Sequence, residues 1–482
     1  MSTSELSFRL LLNLLLSFGT TFYPVPRSSP GLPRVASTLA ACLCVALFSA
    51  STIRAAPADP REQALAYMQQ GAQAYRVGDL TAAARRWSDA IQLCRIAGDT
   101  ATEVDALARR GEAFGMMGRL HAAEADLQQA LSDAEPSGDP ARIAAISGAL
   151  GNVYFQAHDF IRAQPFLQRS LALATTAHRE GIIAASANNL GNVALASGDM
   201  QSAGAYYDRS ISAASASGNT ALQRTALTNK ARVLFRQGSE GVALDTLETG
   251  LRLAVNEPAS ADNAYALIAI GRLALQNPSR PDIESAKRQA IAEAAFQRGD
   301  TFADRLKDPR ISSLIAGYTA ELRTSQARHA EAQRLATQAV FFAQQAAATD
   351  LLYQWEWLQG RLERKAGHEA AAIQLYRRAV VHLQEIRQQI PVDYMDGHSS
   401  FREVMGPLYL GLADMLLRAS AASGSHVEQG KLLTEARSTV ELLKTAEVRD
   451  YFKDQCLVPL EASTSGTGRS VASSRTALLY PI

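Results

Sequence analysis

The chain has 482 residues, of which 47% are hydrophobic, 7% are aromatic and 20% are charged. This hydrophobic fraction argues against wholesale disorder, while 31 glycines without a three-residue period and only four cysteines exclude collagen-like and disulfide-dense proteins. Lys and Arg number 48 against 47 Asp and Glu, and the net charge of +1 provides no overall attraction to nucleic acid or to an anionic membrane. We therefore expect a folded protein without a nucleic-acid partner.

The first 58 residues have the features of a targeting segment. Two apolar stretches occupy residues 10–18 and 39–50, with Arg27 and Arg34 before the second and small residues after it at 55–58. A basic flank, a short apolar run and small residues at a cleavage site are typical of a secretory signal peptide. The second stretch is shorter than the roughly 20 residues that span a bilayer. The sequence therefore predicts export; the alternative is an uncleaved membrane anchor formed by this segment.

Small residues recur every 40 positions in the chain that follows, at Gly71, Gly111, Gly151, Gly191 and Ala231. Seven positions after each of them is a residue that suits a tight turn: Gly78, Gly118, His158, Gly198 and Gly238. Aspartates follow three of these turn residues and suit the start of a second helix: Asp79, Asp159 and Asp199. Sixteen positions after each small residue comes a large apolar side chain: Trp87, Leu127, Leu167, Tyr207 and Leu247. This spacing predicts two helices per repeat that cross closely at the small residue.

These residues and their spacing resemble the tetratricopeptide repeat. The resemblance implies an all-α, right-handed superhelical solenoid with a concave inner face. The usual period of that repeat is about 34 residues, so the longer spacing here indicates a long-repeat variant. The regular pattern predicts five helical pairs over residues 59–255, and weaker matches predict three divergent pairs over residues 256–397, which makes about eight pairs in all.

Residues 398–458 predict two further amphipathic helices that cap the last repeat. Segments 400–403, 409–414 and 435–452 resemble the region before the caspase-like protease domain of bacterial CHAT proteins, which combine that domain with tetratricopeptide repeats. Residues 459–482 resemble a flexible linker followed by the first strand of the protease domain. The resemblance implies a bacterial protein that corresponds to the regulatory arm of a CHAT-type protein. Together with the predicted signal peptide, it places the protein in the periplasm or outside the cell. It also makes a CHAT-type protease domain a candidate partner.

The chain itself is predicted not to be an enzyme. A caspase-like protease needs a Cys nucleophile and a His base from deeper within its own fold, so the sequence looks truncated before its catalytic segments. His398 and Cys456 lie at helix edges, with nothing to orient the imidazole or to activate the thiol. The eight histidines have no metal-ligating spacing, so neither a metal nor a cofactor is expected. The alternative is the front fragment of a caspase-like cysteine peptidase whose catalytic domain is encoded downstream or lost.

The best candidate for a binding site is the concave inner face, which the first helix of each repeat lines. Positions one and four after the small residue, or three before it, point inward in this kind of repeat. These positions and one neighbouring arginine, taken from the third to fifth repeats, are Asn152, Phe155, Asn188, Asn192, Leu195, Arg232, Phe235 and Arg236. Asparagines can bond the backbone of an extended peptide, and arginines can hold an acidic group. We therefore predict protein or peptide partners in this groove; the alternative is an empty polar face on a structural scaffold.

Overall fold

The computed structural model describes residues 59–276, 285–387 and 401–452, which form 18 α-helices and no strand. The predicted all-α fold is confirmed. Several predictions fall outside the described residues: the targeting segment, the linker and strand at 459–482, His398 and Cys456. In chain order the helices are α1 (Pro60–Arg76), α2 (Leu80–Ala97), α3 (Thr100–Met116), α4 (Leu120–Ala134), α5 (Pro140–Gln156), α6 (Phe160–Thr176), α7 (Glu180–Ala196), α8 (Met200–Ala216), α9 (Thr220–Arg236), α10 (Glu240–Asn256), α11 (Ala261–Leu275), α12 (Ser285–Leu306), α13 (Pro309–Ser325), α14 (His329–Gln345), α15 (Thr349–Lys365), α16 (Glu369–Ile386), α17 (Phe401–Ala422) and α18 (His426–Phe452).

Helices α1–α16 form eight consecutive helical pairs, in which the odd-numbered helix is the first of each pair. Helices α1 to α10 begin at 20-residue intervals, so the 40-residue repeat contains two equal halves. The predicted turn residues have left-handed backbone: Gly78, for example, has a φ of 83°. A second series, between repeats, is equally left-handed and was not predicted; it consists of Gly98, Gly138, His178 and Gly218. The predicted caps Asp79, Asp159 and Asp199 each accept a backbone N–H from the helix that follows.

The small residue of each repeat marks the point where the two helices of a pair cross. A Cβ atom added at Gly111 would come within 2.7 Å of Leu127 Cγ, and one at Gly151 would come within 2.7 Å of Leu167 Cγ. Gly71 and Trp87 show the same contact. Any larger side chain would therefore push the helices apart, which confirms the predicted reason for the 40-residue glycine spacing.

In the seventh pair, α13 and α14, the close contact at a glycine comes from the next pair. A Cβ atom added at Gly317 of α13 would come within 2.4 Å of the ring of Trp355 on α15. Trp355 is 1% exposed, and its Nε1 donates a hydrogen bond to Ser313 Oγ at 3.0 Å. Trp355 therefore joins α15 to α13, whereas the sixth and eighth pairs make the corresponding contact within the pair, between Gly271 and Phe296 and between Gly360 and Tyr376.

Helices α17 and α18 pack on α16, the last helix of the repeats. Phe401, Tyr409 and Leu412 of α17 lie in a buried cluster with residues of α16 and α18. Arg377 of α16 donates from Nε and Nη2 to the two carboxylate oxygens of Glu435 of α18, both at 2.6 Å. These contacts join the final pair to the repeats.

First helices of successive pairs contact one another continuously from α3 to α15, each odd-numbered helix with the next. Among the described second helices, a contact of similar extent occurs between α10 and α12. The first helices therefore lie closer together than most of the second helices and form a continuous surface. None of the described helices combines the length and the apolar character that a bilayer crossing requires.

Candidate functional site

The predicted groove residues lie on three first helices that follow one another and are in contact, α5, α7 and α9. Asn152 and Phe155 are on α5, and Arg232, Phe235 and Arg236 are on α9. The middle helix α7 carries the remaining predicted residues, which are Asn188, Asn192 and Leu195. The polar members of α7 and α9 are brought together by hydrogen bonds through a further side chain of α9. The side chain of Asn152 has no described contact with them.

Asn229 of α9 connects the polar side chains of the two helices. Its Nδ2 donates to Asn188 Oδ1 at 3.1 Å and to Asn192 Oδ1 at 3.3 Å. Arg232 Nη1 donates to Asn229 Oδ1 at 3.2 Å. Asn229 is not among the residues predicted from the sequence, because it lies two positions before the small residue Ala231, outside the positions assigned to the inner face. We call Asn188, Asn192, Asn229 and Arg232 the amide network.

Tyr207 of α8 is a further hydrogen-bond donor to the amide network. Its hydroxyl donates to Asn192 Oδ1 at 2.8 Å, and its ring packs against Gly191. Burial raises the pKa of the Tyr207 phenol, while the positive charges of Arg232 and Arg236 act in the opposite direction. The phenol therefore stays protonated at neutral pH and remains a hydrogen-bond donor to Asn192.

The apolar members of the predicted set are partly buried. Leu195 packs against a buried cluster shared by α7, α8 and α9. The ring centroid of Phe155 lies 5.6 Å from that of Phe160. The guanidinium carbon of Arg288 lies 5.1 Å from the centre of the Phe235 ring. These rings therefore already have partners within the protein and offer a ligand only their remaining exposed edges.

The position directly after the small residue carries charge in other repeats, at residues outside the set predicted from the sequence. Burial raises the pKa of Glu112 on α3, with Arg109 acting in the opposite direction. Glu112 is nevertheless exposed to solvent. Neighbouring protein atoms therefore reduce the hydration of its carboxylate without enclosing the side chain. Burial also raises the pKa of Glu321 on α13, whose Oε1 lies 3.7 Å from Arg361 Nη2.

The inner positions therefore change in charge along the chain. Helix α3 contributes Glu112, α7 contributes Asn192, and α9 and α11 contribute Arg232 and Arg272. Arg272 lies 4.9 Å from the centre of the Tyr318 ring. Within the described ranges, no group of three side chains is arranged to hold a metal ion. The chemistry that these positions offer is hydrogen bonding and charge, with basic side chains concentrated on α9 and α11.

Residues 182–276, which span α7 to α11 and the whole amide network, match the family model described as tetratricopeptide repeat. This segment carries tetratricopeptide repeats. No curated protein matches the sequence. The comparisons indicate an interaction repeat and no catalytic family.

Solved structures with tetratricopeptide repeats are similar to the chain at low sequence identity. A signal transduction ATPase with a tetratricopeptide repeat sensor, from Pyrococcus horikoshii, has 10% identity and a TM-score of 0.53, covering 81% of this chain and 55% of that one. The apo form of RapI has 13% identity and a TM-score of 0.41, covering 58% of this chain and 97% of that one. A Rap protein complexed with competence and sporulation factor has 13% identity and a TM-score of 0.41, covering 68% and 77%. The first of these shows that the fold is a tetratricopeptide solenoid.

Proposed function

We propose that this chain is a non-catalytic scaffold that binds a protein or peptide partner on the surface formed by α5, α7 and α9. The observation that carries the proposal is the amide network, in which polar side chains of two successive first helices are held in fixed orientations by one another. Polar groups held in fixed orientations lose little conformational entropy on binding, which favours recognition of an extended chain.

The packing of the helices supports an inner, concave location for this surface. First helices contact one another from α3 to α15, whereas most second helices do not approach their counterparts as extensively. In a curved solenoid, the elements that are closest together lie on the inside of the curve. Arg232 and Arg236 give this part of the surface a positive charge, so an acidic segment of the partner fits it best.

A pull-down with the full-length chain tests the proposal. The test variant carries Asn188→Ala, Asn192→Ala and Arg232→Ala. A matched control carries three substitutions at exposed positions of the second helices, Gln168→Ala, Gln201→Ala and Arg252→Ala. We expect extract from the source organism to yield a partner that wild type and the control retain and the test variant loses. Equal retention by all three proteins, each with an unchanged melting temperature, would contradict the proposal.

We further propose that the scaffold is the regulatory arm of a CHAT-type protein. The support is the resemblance of segments 400–403, 409–414 and 435–452, together with the packing of α17 and α18 on the last repeat. A CHAT-type protease domain from the source organism is the direct probe. Co-elution with the full-length chain in gel filtration is expected, and separate elution at concentrations of tens of micromolar, a range that detects weak complexes, would contradict this assignment.

We also propose that the chain is exported and cleaved near residues 55–58, on the basis of the signal-peptide features of its first 58 residues. Expression in a bacterial host followed by cell fractionation and N-terminal sequencing tests it. A mature N terminus close to residue 59 in the exported fraction is expected. Recovery of the intact N terminus in the membrane fraction would instead favour the uncleaved anchor.

A further inference from the structure

The connection between the fifth and sixth helical pairs differs from the turns that join the earlier pairs. Each of the four earlier turns contains a left-handed residue, the last of them Gly218 with a φ of 68°. The next position in that series is Pro258, whose ring fixes φ at about −65° and excludes left-handed backbone. The chain is extended here instead, with a ψ of 153° at Glu257 and 159° at Ser260. The regular turn between repeats is therefore absent at this connection.

Helices α10 and α11, which flank this connection, are in weak contact. Among the described pairs, no other second helix has so limited a contact with the first helix that follows it. The earlier second helices carry a small side chain at one shared position, where α10 carries Gly250: Ala90, Ala130, Ser170 and Ser210. A Cβ atom at Gly250 would lie 3.7 Å from Leu227 Cβ of α9 and 3.8 Å from Ile270 Cδ1 of α11. Glycine therefore leaves contacts unmade at this interface and weakens the helix itself.

A buried arginine of α9 lies beside the same interface. The other regular first helices and α11 have a buried alanine or valine at this position: Ala64, Val104, Ala144, Ala184 and Ala264. Helix α9 has Arg224, which is 4% exposed and whose Nε has no hydrogen-bond partner among the described residues. Burial lowers the pKa of Arg224, while the negative charges of Glu257 and Asp262 act in the opposite direction. Because a guanidinium keeps its charge in proteins, incomplete hydrogen bonding of Arg224 destabilises the closed interface.

An acceptor at the same end of the interface also lacks a partner. Asn263 of α11 is 2% exposed and donates from Nδ2 to the backbone oxygens of Ala254 and Pro258, at 3.0 and 3.3 Å. Its Oδ1 is buried and accepts no hydrogen bond from the residues that the structure describes. The Glu257 carboxylate, which is near Arg224, accepts a hydrogen bond from Thr220 Oγ1. A buried donor and a buried acceptor thus remain unpaired where α10 ends and α11 begins.

The opposite end of the α10–α11 interface is held by strong contacts. Arg288 of α12 forms an ion pair with Glu240, the first residue of α10. It also donates to the backbone oxygens of Ala274 and Gln276, at the end of α11, at 3.0 and 2.9 Å. One end of the interface is therefore held together by a neighbouring helix, while the other end carries the unpaired polar groups.

We propose that residues 257–260 form a hinge between the first five helical pairs and the pairs that follow, with the Arg288–Glu240 ion pair as its pivot. Opening separates the end of α10 from the start of α11 and lets the Arg224 guanidinium reach water. Helix α9 precedes the hinge and α11 follows it, so the motion changes the separation of the basic side chains that these two helices carry. Hinge motion needs no bound partner, so it does not depend on the proposed function.

Electron–electron double resonance with the full-length protein tests the hinge. Nitroxide labels are attached through genetically encoded ketone side chains, which leaves the native cysteines unchanged. One pair of labels spans the hinge, at the exposed positions Gln201 of α8 and Gln338 of α14. The control pair lies within the regular repeats, at Gln92 of α2 and Gln201. Both pairs span three repeats, so the general elasticity of a solenoid affects them equally. We expect the distance distribution across the hinge to be at least about twofold wider.

Two variants test the physical basis of the hinge. Arg224→Met removes the buried charge at similar volume, and Gly250→Ala adds a methyl group for which there is space. Each favours the closed interface, so we expect each to narrow the distribution across the hinge at least about 1.5-fold. The matched controls are Arg252→Met at an exposed position of α10, and Gly204→Ala, which gains the same helix propensity in α8. Both controls should leave the width unchanged.

Each outcome supports or overturns one part of the proposal. A distribution across the hinge that is as narrow as that of the control pair overturns the hinge. An unchanged width in Arg224→Met overturns the role of the buried charge, and an unchanged width in Gly250→Ala overturns the role of the weak α10–α11 contact. Thermal melts check folding, and Gly250→Ala, which should raise the melting temperature, keeps the test decisive if Arg224→Met unfolds. Loss or absence of a partner in the pull-down does not alter these distances, so the hinge and the proposed function fail separately.

Discussion

Tyr207 and Gly191 lie so close together that a Cβ atom on Gly191 would come within 2.5 Å of Tyr207 Cε1. The hydroxyl of the same ring donates to Asn192 Oδ1 at 2.8 Å, one residue after the glycine. One side chain therefore sets the crossing of α7 and α8 and also holds an amide of the candidate site. Packing of the fourth repeat and the orientation of its polar surface are coupled at this position.

Substitution of Gly191 by alanine tests the close crossing. Because the added methyl group would overlap the Tyr207 ring, we expect Gly191→Ala to lower the free energy of unfolding by about 1–3 kcal/mol in urea denaturation. Gly204 on α8 is the control, since a Cβ atom there meets nothing within 4 Å. Gly204→Ala should raise stability by about 0.5–1 kcal/mol through helix propensity, and a similar loss in both variants would contradict the packing argument.

The left-handed turns give a second prediction. His178 has a φ of 53° in a position where the neighbouring repeats have glycine, such as Gly218 with a φ of 68°. A non-glycine residue in this conformation is strained, so His178→Gly should raise the free energy of unfolding by up to about 1 kcal/mol. The reverse change, Gly218→Ala, should lower it by about 1 kcal/mol. Thermal melts of both variants under the same conditions measure the pair, and opposite signs are the expected result.

Arg288 of α12 connects three helices, so we expect its substitution to change the free energy of unfolding more than the turn substitutions do. It is 5% exposed, forms an ion pair with Glu240 of α10, and donates to the backbone oxygens of Ala274 and Gln276 at 3.0 and 2.9 Å. Arg288→Met would leave a carboxylate and two carbonyls without this partner, so we expect a loss of about 3 kcal/mol in denaturant unfolding. Arg252→Met, at an exposed position of α10, should change stability by less than about 0.5 kcal/mol.

The pKa of Glu112 predicts a pH dependence. Burial raises this pKa in the folded protein, so the native state binds the proton more tightly than the unfolded chain does. Stability from this group is therefore greatest at acid pH and falls as the pH rises from the unfolded pKa through the folded pKa. We expect Glu112→Gln, which is neutral throughout, to be more stable than wild type at pH 7.

Measurements at acid pH provide the control for Glu112→Gln. Near pH 4 the wild-type carboxyl is largely protonated and resembles the glutamine, so the difference in free energy of unfolding between the two proteins should shrink. Urea titrations at pH 4, 5, 6 and 7 measure this difference. A difference that stays constant across the series, or grows toward acid pH, would contradict the raised pKa.

The sequence alone was sufficient to predict the architecture at positions where the local backbone or packing accepts only one or two residue types. The 40-residue spacing of Gly71, Gly111, Gly151 and Gly191 predicted helical pairs with close crossings because only glycine or alanine fits between helices at that distance. The turn glycines and the aspartate caps followed from backbone conformations that few other residues satisfy. These signals are local, so they can be read without knowing what lies across the solenoid.

Tertiary structure alone decided how the candidate site is built. The sequence placed Asn188, Asn192 and Arg232 on first helices, but it could not indicate that Asn229 links them, because that link joins atoms on two helices whose spacing depends on the packing between repeats. Trp355 likewise packs against Gly317, a residue of a different repeat. The sequence by itself determined which residues each helix presents; which of their atoms remain available to a partner is set by hydrogen bonds that exist only when the repeats are stacked.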